Sequence, residues 1–362
     1  MKKLNIIIAT PSVGTKNSGG GISVIARDWA HSFKNDKIYS VQFVITRGNF
    51  SYFLSPIFLL KSFLKIIILK FRKKADLAHV HASQKGSTYR KILLCKLLKI
   101  LNIPYILHIH GSDFHNFFKK SPKWIKSLIL EIFKDAKSTI VLGKIWKDFV
   151  SSKIHIPKKK IYVLNNTAKI ITLKKKNKKN KFVKIIFLGK LSLRKGTYDL
   201  IYALNKIKNN KKWNCTIVGD GDIDEIKALI KKLNISDRIK VTGWLSREDS
   251  QGLLINSNIL VLPSYAENMP LSVIEGMAFG LSIITTPVGA TPEIINNNKT
   301  GIMTKPGNVV DLSKKLQKLI NSKKLQLKLG KNAKKYYLQK LSYNVYQKKL
   351  KNLWKSLINS KN

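Results

Sequence analysis

Short runs that are apolar at nearly every position recur along the chain, each closed by glycine, proline or polar residues. They lie at 4–9, 41–45, 78–80, 105–109 and 139–142, then at 183–188, 215–218, 239–241, 259–262 and 282–285. Between them stand longer segments whose apolar residues return every three or four positions, as at 22–33, 198–208, 223–233 and 309–320. The first pattern predicts strands and the second predicts amphipathic helices. Strands with no polar face must be covered on both sides, and their alternation with helices predicts parallel sheets. The fold class is therefore α/β.

One stretch breaks the pattern. From 169 to 181 the chain passes through Lys174-Lys175-Lys176-Asn177-Lys178-Lys179-Asn180-Lys181, which has nothing to bury and reads as a solvated linker. It separates two Rossmann-like domains, residues 1–168 and residues 182–342. The last helical stretch, 333–357, is interrupted near Ser342 and carries Tyr336, Tyr337, Leu341, Tyr346, Leu350, Leu353 and Trp354. That apolar surface needs a partner face, and residues 343–362 are expected to pack back on the first domain. The length of 362 residues suits two cores better than one.

Composition changes the picture in one respect, charge. Sixty-eight lysines and arginines against nineteen acids leave a formal +49. Such a surface attracts anions: nucleic acid, a phosphorylated substrate or anionic lipid. A coding bias toward Lys, Ile and Asn explains the same numbers without a partner, and both readings stand. The cations are not interleaved with aromatics in a nucleic-acid module, so no specific nucleic-acid partner is expected. Cys95 and Cys215 lie far apart in apolar stretches, which suggests neither disulfide nor zinc site and fits a cytoplasmic setting. The start of the chain is basic, but its apolar run is too short for a signal peptide and reads as a buried strand. No run reaches the roughly 18 to 20 apolar residues of a spanning helix, since even 57–69 contains Lys61 and Lys65. Segments 55–74 and 117–134 mix bulky apolar residues with Lys. Each is either an interfacial helix on anionic lipid or an ordinary helix packed on a sheet.

The chemistry concentrates after the strand at 259–262. There Glu267, Asn268, Met269, Pro270 and Leu271 lead into a helix, with Pro270 suited to its first position and backbone amides pointing out beside the positive end of the dipole. Glu275 lies in the second helical turn and leans back toward Glu267. Two carboxylates flanking an anion cradle suit a nucleotide sugar, one on the ribose hydroxyls and one on the sugar side; a solvated helix start is the plain alternative. Lys190, Arg194 and Lys195 follow the strand at 183–188, at a carboxyl end where open sheets bind ligands. The glycines Gly19, Gly20 and Gly21 precede the helix at 22–33 and admit a phosphate or sugar close to backbone; a flexible turn is the alternative. His110 sits at a sheet edge while His108 points into packing, and a structural histidine is the competing reading for both. Gly219-Asp220-Gly221-Asp222 imitates a Mg²⁺ pair, yet a turn closing a strand accounts for it. Neither a Walker P-loop nor a complete G-x-G-x-x-G fingerprint occurs, and no nucleophile accompanies the histidines.

Together these marks resemble glycosyltransferase family 4. They are the E-x7-E spacing of Glu267 and Glu275, Lys195-Gly196, Gly219-Asp220-Gly221, Val241-Thr242-Gly243, and Pro287-Val288-Gly289 before Pro292-Glu293. The likeness covers 182 to about 330 and thins in the first domain to Gly19–Gly21 and His110-Gly111. It implies a GT-B fold, two Rossmann-like sheets facing each other across a cleft with the C-terminal helix crossing back. It implies a retaining hexosyltransferase that needs no metal or other cofactor, takes a UDP- or GDP-linked sugar, and serves cell-surface polysaccharides such as capsule or O-antigen. The acceptor would be a glycan or polyprenyl-diphosphate-linked saccharide, and the enzyme cytoplasmic or peripheral on the inner face of the membrane.

Carried over by position, the resemblance makes His110, Glu267 and Lys195 catalytic. Gly20, Gly21, Lys190, Arg194, Gly219, Gly243, Asn268, Met269, Pro270, Leu271 and Glu275 become donor-binding residues. Lys190 departs from the family's common Arg, so bidentate phosphate binding is lost there unless Arg194 substitutes. The implied mechanism is front-face substitution, in which the departing phosphate oxygen takes the acceptor proton and cations and helix amides stabilise the leaving group. The rival readings are a nucleotide-sugar epimerase on a similar scaffold and a basic nucleic-acid-binding protein.

Overall fold

Segments without a polar face fold as buried strands, and the amphipathic segments between them form the helices that cover those strands. The computed structural model describes residues 3–13, 21–48, 54–172 and 181–359. These form two compact units, residues 1–165 with 347–362, and residues 166–346. The Lys-rich segment 173–180, Gly19 and Gly20 lie outside the described residues.

In the first unit β1 (Leu4–Thr10), α1 (Gly21–Phe33), β2 (Tyr39–Ile45), α2 (Ser55–Phe71), β3 (Leu77–Ala82) and α3 (Gly86–Ile100) are followed by β4 (Tyr105–Ile109), α4 (Phe114–Lys120), α5 (Lys123–Asp135), β5 (Ser138–Val141), α6 (Lys144–Lys153) and β6 (Ile161–Val163). The strands pair in the order β2-β1-β3-β4-β5-β6, all parallel. Ile6, Ile7, Ile8 and Ala9 have no exposed surface, as expected of a strand covered on both faces.

The second unit repeats the plan. It comprises β7 (Val183–Leu188), α7 (Thr197–Lys206), β8 (Trp213–Val218), α8 (Ile223–Lys232), β9 (Ile239–Gly243), α9 (Arg247–Ile255) and β10 (Ile259–Leu262), then α10 (Leu271–Phe279), β11 (Ser282–Thr285), α11 (Thr291–Ile294), β12 (Ile302–Met303), α12 (Val309–Ile320) and α13 (Lys323–Tyr336). Its sheet runs β12-β11-β10-β7-β8-β9, again parallel. The order reverses between β7 and β10. In open parallel sheets the loops leaving such a pair of strands diverge and leave a crevice at their carboxyl ends. The loops that leave β7 and β10 here are 189–196 and 263–270, the two segments with the densest candidate chemistry.

After α13 a π-helical turn, Tyr337–Leu341, ends at Ser342 in extended backbone, and α14 (Tyr343–Asn359) begins. The turn is tied within the second unit, where Tyr337 Oη donates to the Ala168 carbonyl at 2.9 Å and Thr167 Oγ1 to the Leu341 carbonyl at 2.7 Å. From Gln347 the helix belongs to the first unit. Trp354 is fully buried there among Trp29, Phe33 and Tyr39. Tyr39 Oη donates to the Lys351 carbonyl, and Lys351 pairs with Asp36.

Of the two segments with interfacial character, α5 is an ordinary packed helix. Ile125, Ile129, Ile132 and Phe133 are buried at helical spacing, although Trp124 stays exposed. α2 differs: Ile57, Leu60, Leu64, Ile68 and Phe71 form one exposed ridge, Phe71 being 80% accessible.

Candidate functional site

The crevice of the second sheet is built on glycines. Gly219, at φ +149°, lies so close to the end of β7 that a Cβ would meet the Gly189 carbonyl oxygen at 1.9 Å. Gly243, at φ +73°, ends β9, and its carbonyl accepts from the Gly219 amide at 2.9 Å. The acids of the neighbouring turn brace the loop after β7. The Asp220 carbonyl accepts from the Leu191 amide at 2.6 Å, a bridge joins Leu191 to Gly221, and Asp222 accepts from Tyr198 Oη at 3.1 Å.

The loop after β7 turns through Leu193–Lys195 under a Ser192 cap and ends at Gly196, at φ +69°, where α7 begins. A Cβ on Gly196 would meet the Pro263 carbonyl oxygen at 2.2 Å, so glycine is what lets the two loops touch. Backbone joins them too, the Tyr265 amide donating to the Arg194 carbonyl at 2.8 Å. The side chains then converge. Arg194 Nη1 donates to the Ala266 carbonyl at 2.7 Å, and Lys195 Nζ forms an ion pair with Glu267 Oε1, which also accepts from Ser264 Oγ at 2.8 Å. Glu267 is 8% exposed. A carboxylate that deep needs such hydrogen-bonding and charged partners. Lys190 projects exposed from the same loop and makes no ion pair among the described residues.

The loop 263–270 is also held from below. Thr286 Oγ1 donates to the Ser264 carbonyl at 2.5 Å, and the Ala290 amide to the Asn268 carbonyl at 2.8 Å. Gly289, at φ +56°, sits where a Cβ would meet the Glu267 carbonyl oxygen at 2.0 Å. Asn166 donates from its side chain to the Met269 carbonyl at 2.9 Å. Pro270 proves to be the cap residue of α10, in extended backbone, and Leu271 is the first helical residue. The shift of one position has a cause: Asn268 and Met269 are anchored by the loop below them, and the helix starts after the anchor. The amides of Met269 and Leu271 find no acceptor among the described residues, the expected state of a helix start. Glu275, half-buried in the second turn, lies on the side of Tyr337. Burial first, and then the Glu275 charge, push that phenol up to about 12.

Lys195, Arg194, Glu267 and the loop from Asn268 to Leu271 thus meet at one crevice, with Gly219 and Gly243 along its sheet edge. Ser264, Thr286 and Asn166 are supports that the motifs did not reveal. Of the glycine loop only Gly21 is described, as the first residue of α1; Gly20 lies outside the described residues.

In the first unit His110 follows β4, half-buried, while His108 has no exposed surface. Neither is isolated. The parallel register sets His81 of β3 against His108 of β4, and a His-x-His pair on each strand lines four imidazoles on one face. His79 Nε2 and His108 Nδ1 are 3.0 Å apart, and His81 Nδ1 and His110 Nε2 are 2.8 Å apart. Burial pulls His110 down to about 3 and the other three well below the usual imidazole range. The nitrogens of His79, His81 and His108 lie near enough for one metal ion to be considered. Trp354 argues against it. Its indole, which only donates, points at His79 Nδ1 at 3.0 Å and so leaves the proton of a neutral ring on Nε2, the nitrogen a metal would need bare.

Residues 15–168 match the family model described as Glycosyltransferase Family 4, and residues 169–336 match Glycosyl transferases group 1. The chain is 29% identical over 308 residues to the N,N'-diacetylbacillosaminyl-diphospho-undecaprenol alpha-1,3-N-acetylgalactosaminyltransferase of Campylobacter jejuni, covering 79% of this chain and 78% of that one. It is 26% identical over 324 residues to the UDP-Gal:alpha-D-GlcNAc-diphosphoundecaprenol alpha-1,3-galactosyltransferase of Escherichia coli, covering 83% and 81%. A glycosyltransferase structure from Rickettsia africae superposes with a TM-score of 0.76 at 20% identity over the whole of both chains. Sucrose-phosphate synthase from Thermosynechococcus elongatus does so at 0.80 and 15% identity, over 99% of this chain and all of that one. The fold is GT-B. With its two halves matched by the two models, the chain belongs to the family 4 and group 1 glycosyltransferases and is a sugar-transferring enzyme.

Proposed function

We propose that this glycosyltransferase takes a hexose-type sugar from UDP or GDP and passes it, with retention and without a metal ion, to a lipid-linked saccharide in cell-surface polysaccharide synthesis. The observation that carries the reading is the Lys195–Glu267 pair, placed where the sheet order reverses and beside the start of α10. A diphosphate arriving there finds the Lys195 ammonium, the exposed cations Lys190 and Arg194, and the amides of Met269 and Leu271. Its negative charge replaces Glu267 as the partner of Lys195. Glu267 is then released toward the hydroxyls of the sugar, while Glu275 accepts from the ribose.

As the glycosidic bond breaks, charge collects on the leaving phosphate, and the same cations and amides stabilise it most at that moment. The leaving oxygen takes the acceptor proton, so no protein base is assigned, and His110 meets the transferred sugar. The lipid-linked acceptor is supported by the two relatives whose names carry undecaprenol diphosphate substrates, and the UDP-Gal in one of those names favours UDP over GDP.

The test is thermal denaturation with UDP, GDP, UMP and ADP in excess EDTA. UDP or GDP raises the midpoint while the others do much less; equal effects of all four, or a strict need for Mg²⁺, overturn the donor site. Product anomers from transfer to a polyprenyl-diphosphate sugar, read by NMR, then decide retention.

The ridge on α2 favours a second element of the reading, that the enzyme works at an anionic membrane surface. Ile57, Leu60, Leu64, Ile68 and Phe71 are exposed on a helix that also carries Lys61, Lys65 and Lys70 and no acid, a composition suited to lying shallowly in a headgroup layer. No helix among the described residues is long and apolar enough to cross a membrane. The chain should float with liposomes containing anionic lipid, and Leu60→Asp with Leu64→Asp should abolish this; flotation unchanged in that variant removes α2 from the interface.

A further inference from the structure

The row of imidazoles in the first unit has proton positions that follow from its ends. Trp354 Nε1 donates to His79 Nδ1 at 3.0 Å, so a neutral His79 carries its proton on Nε2 and passes it toward His108 Nδ1. His108 must then hold its own proton on Nε2, a buried nitrogen that has no partner among the described residues, so the indole already imposes one stranded N–H on the row and the second pair is best arranged without adding another. The second pair, His81 Nδ1 with His110 Nε2 at 2.8 Å, has no indole to set its direction.

Its direction follows from the nitrogen left over. His81 Nε2 is buried and has no partner among the described residues. Were His110 the donor, a neutral His81 would carry its proton on Nε2, a buried N–H with nothing to accept it. Were His81 the donor, only a lone pair would be stranded. Orphaned buried N–H groups are the rarer and costlier defect. The rest of the surroundings do not reverse this: the other rings packed on His81 are Trp29, His79 and His108, and burial first, then the charges of His79, His110 and Lys91, hold its imidazole well below the usual range.

We propose that His81 is a positioning residue: it donates from Nδ1 to His110 Nε2, locks His110 in the tautomer with its proton on Nδ1, and so makes His110 a hydrogen-bond donor to the transferred sugar and not a base. The inference rests on the reading of His110 as a sugar contact, and adds to it the residue that sets its polarity. It accounts for a feature the motifs leave unexplained, a His-x-His pair on each of two neighbouring strands with only one ring at the carboxyl edge. His81 has no exposed surface and touches no ligand itself.

With seven histidines in the chain, the tautomers are readable in a two-bond ¹H–¹⁵N spectrum of ¹⁵N-histidine-labelled protein, His110 being assigned by the signal lost in His110→Gln. The wild type should show His110 protonated on Nδ1. His81→Phe, which keeps a ring but loses the donor, should shift His110 toward the Nε2 form. His81→Asn, whose amide N–H falls near the lost Nδ1, should restore it. The kcat of His81→Phe should fall on the order of tenfold, with KM for the donor little changed, and His81→Asn should recover most of the rate.

An Nε2-protonated His110 in the wild type overturns the proposal, as does an Nδ1 form that persists in His81→Phe. Should His81→Phe fail to fold, the wild-type and His81→Asn spectra still decide. If the tautomer behaves as stated but His110→Gln transfers sugar at the wild-type rate, the sugar contact is what fails, while the control of His110 by His81 stands.

Discussion

Among the described residues Lys91 is the one lysine that the fold buries outright, at 1% exposure, and replacing it by methionine gives a pH-dependent result whose sign follows from the structure. Its ammonium donates to Thr46 Oγ1 at 2.6 Å and pairs with no carboxylate among the described residues. Burial, with the Arg90 charge, lowers it from 10.5 to about 7. The folded value lies below the unfolded one. Between about pH 7 and 10.5 the unfolded chain therefore holds a proton that the folded chain lacks, and stability rises with pH. Below about 7 both states are charged and the cost of burial is complete. At about 1.4 kcal/mol per unit that cost is roughly 5 kcal/mol, and Lys91→Met removes it while giving up a hydrogen bond of about 1 kcal/mol. The variant should therefore be more stable than wild type by about 4 kcal/mol at pH 6.5 and nearly equal to it at pH 9.5. Because the two units need not unfold together, the quantity to measure is the opening free energy of β1 and β3 amides by hydrogen exchange, variant against wild type at each pH. A difference that does not change with pH, or a variant less stable at pH 6.5, refutes the reasoning and makes Lys91 a paired cation.

Four changes test the second unit. Glu275→Ala should reduce the stabilisation given by UDP or GDP, measured by thermal shift, and unchanged affinity removes the ribose role. Lys195→Met should weaken a nucleoside diphosphate at least tenfold while leaving the nucleoside nearly unaffected, by calorimetric titration; an equal loss for both would mean that the loop has collapsed. Glu267→Gln frees Lys195 from its ion pair, so UDP alone should bind more tightly while transfer falls, and tighter binding with full activity would leave Glu267 without a role at the sugar. Gly196→Ala forces a Cβ into the Pro263 carbonyl at a left-handed φ and should cost about 2 kcal/mol or more of stability, read as a lowered midpoint together with weaker nucleotide binding.

The elements that the pattern located best are those buried on both faces. The runs at 105–109, 183–188, 259–262 and 282–285 coincide with β4, β7, β10 and β11, because a strand under two helical layers is apolar along its length and its ends show as the first polar residues. β6 and β12 escaped for opposite reasons. Ile161–Val163 is short and follows three lysines, whereas Ile302–Met303 is two residues long and has no period to detect. The crevice of the second unit was legible because its glycines and acids are local, lying on two loops whose meeting follows from the sheet order. His79 and His81 were not seen as part of any site, since only the register of β3 on β4 brings them to His108 and His110. The repeated His-x-His was the available signal, and it becomes informative once the strands are known to be neighbours. Lys91 was hidden by composition, because one buried lysine does not stand out among sixty-eight cations.

That contrast bears on what the charge is for. A chain with +49 does not gain a phosphate site merely by carrying lysines, since a solvated ammonium attracts any anion weakly and is screened within about 10 Å in ordinary salt. Around Lys195 the fold adds fixed geometry. The ammonium is held by Glu267, Glu267 is held by Ser264, and Ser264 is held through its carbonyl by Thr286. The lysine is therefore already placed and partly desolvated before any ligand arrives, and little ordering remains for binding to do. The remaining cations act only at longer range and on any anion. Selectivity for a diphosphate has to come from the few whose positions are fixed by a chain of partners, and of the lysines in the loop after β7 the one so held is Lys195.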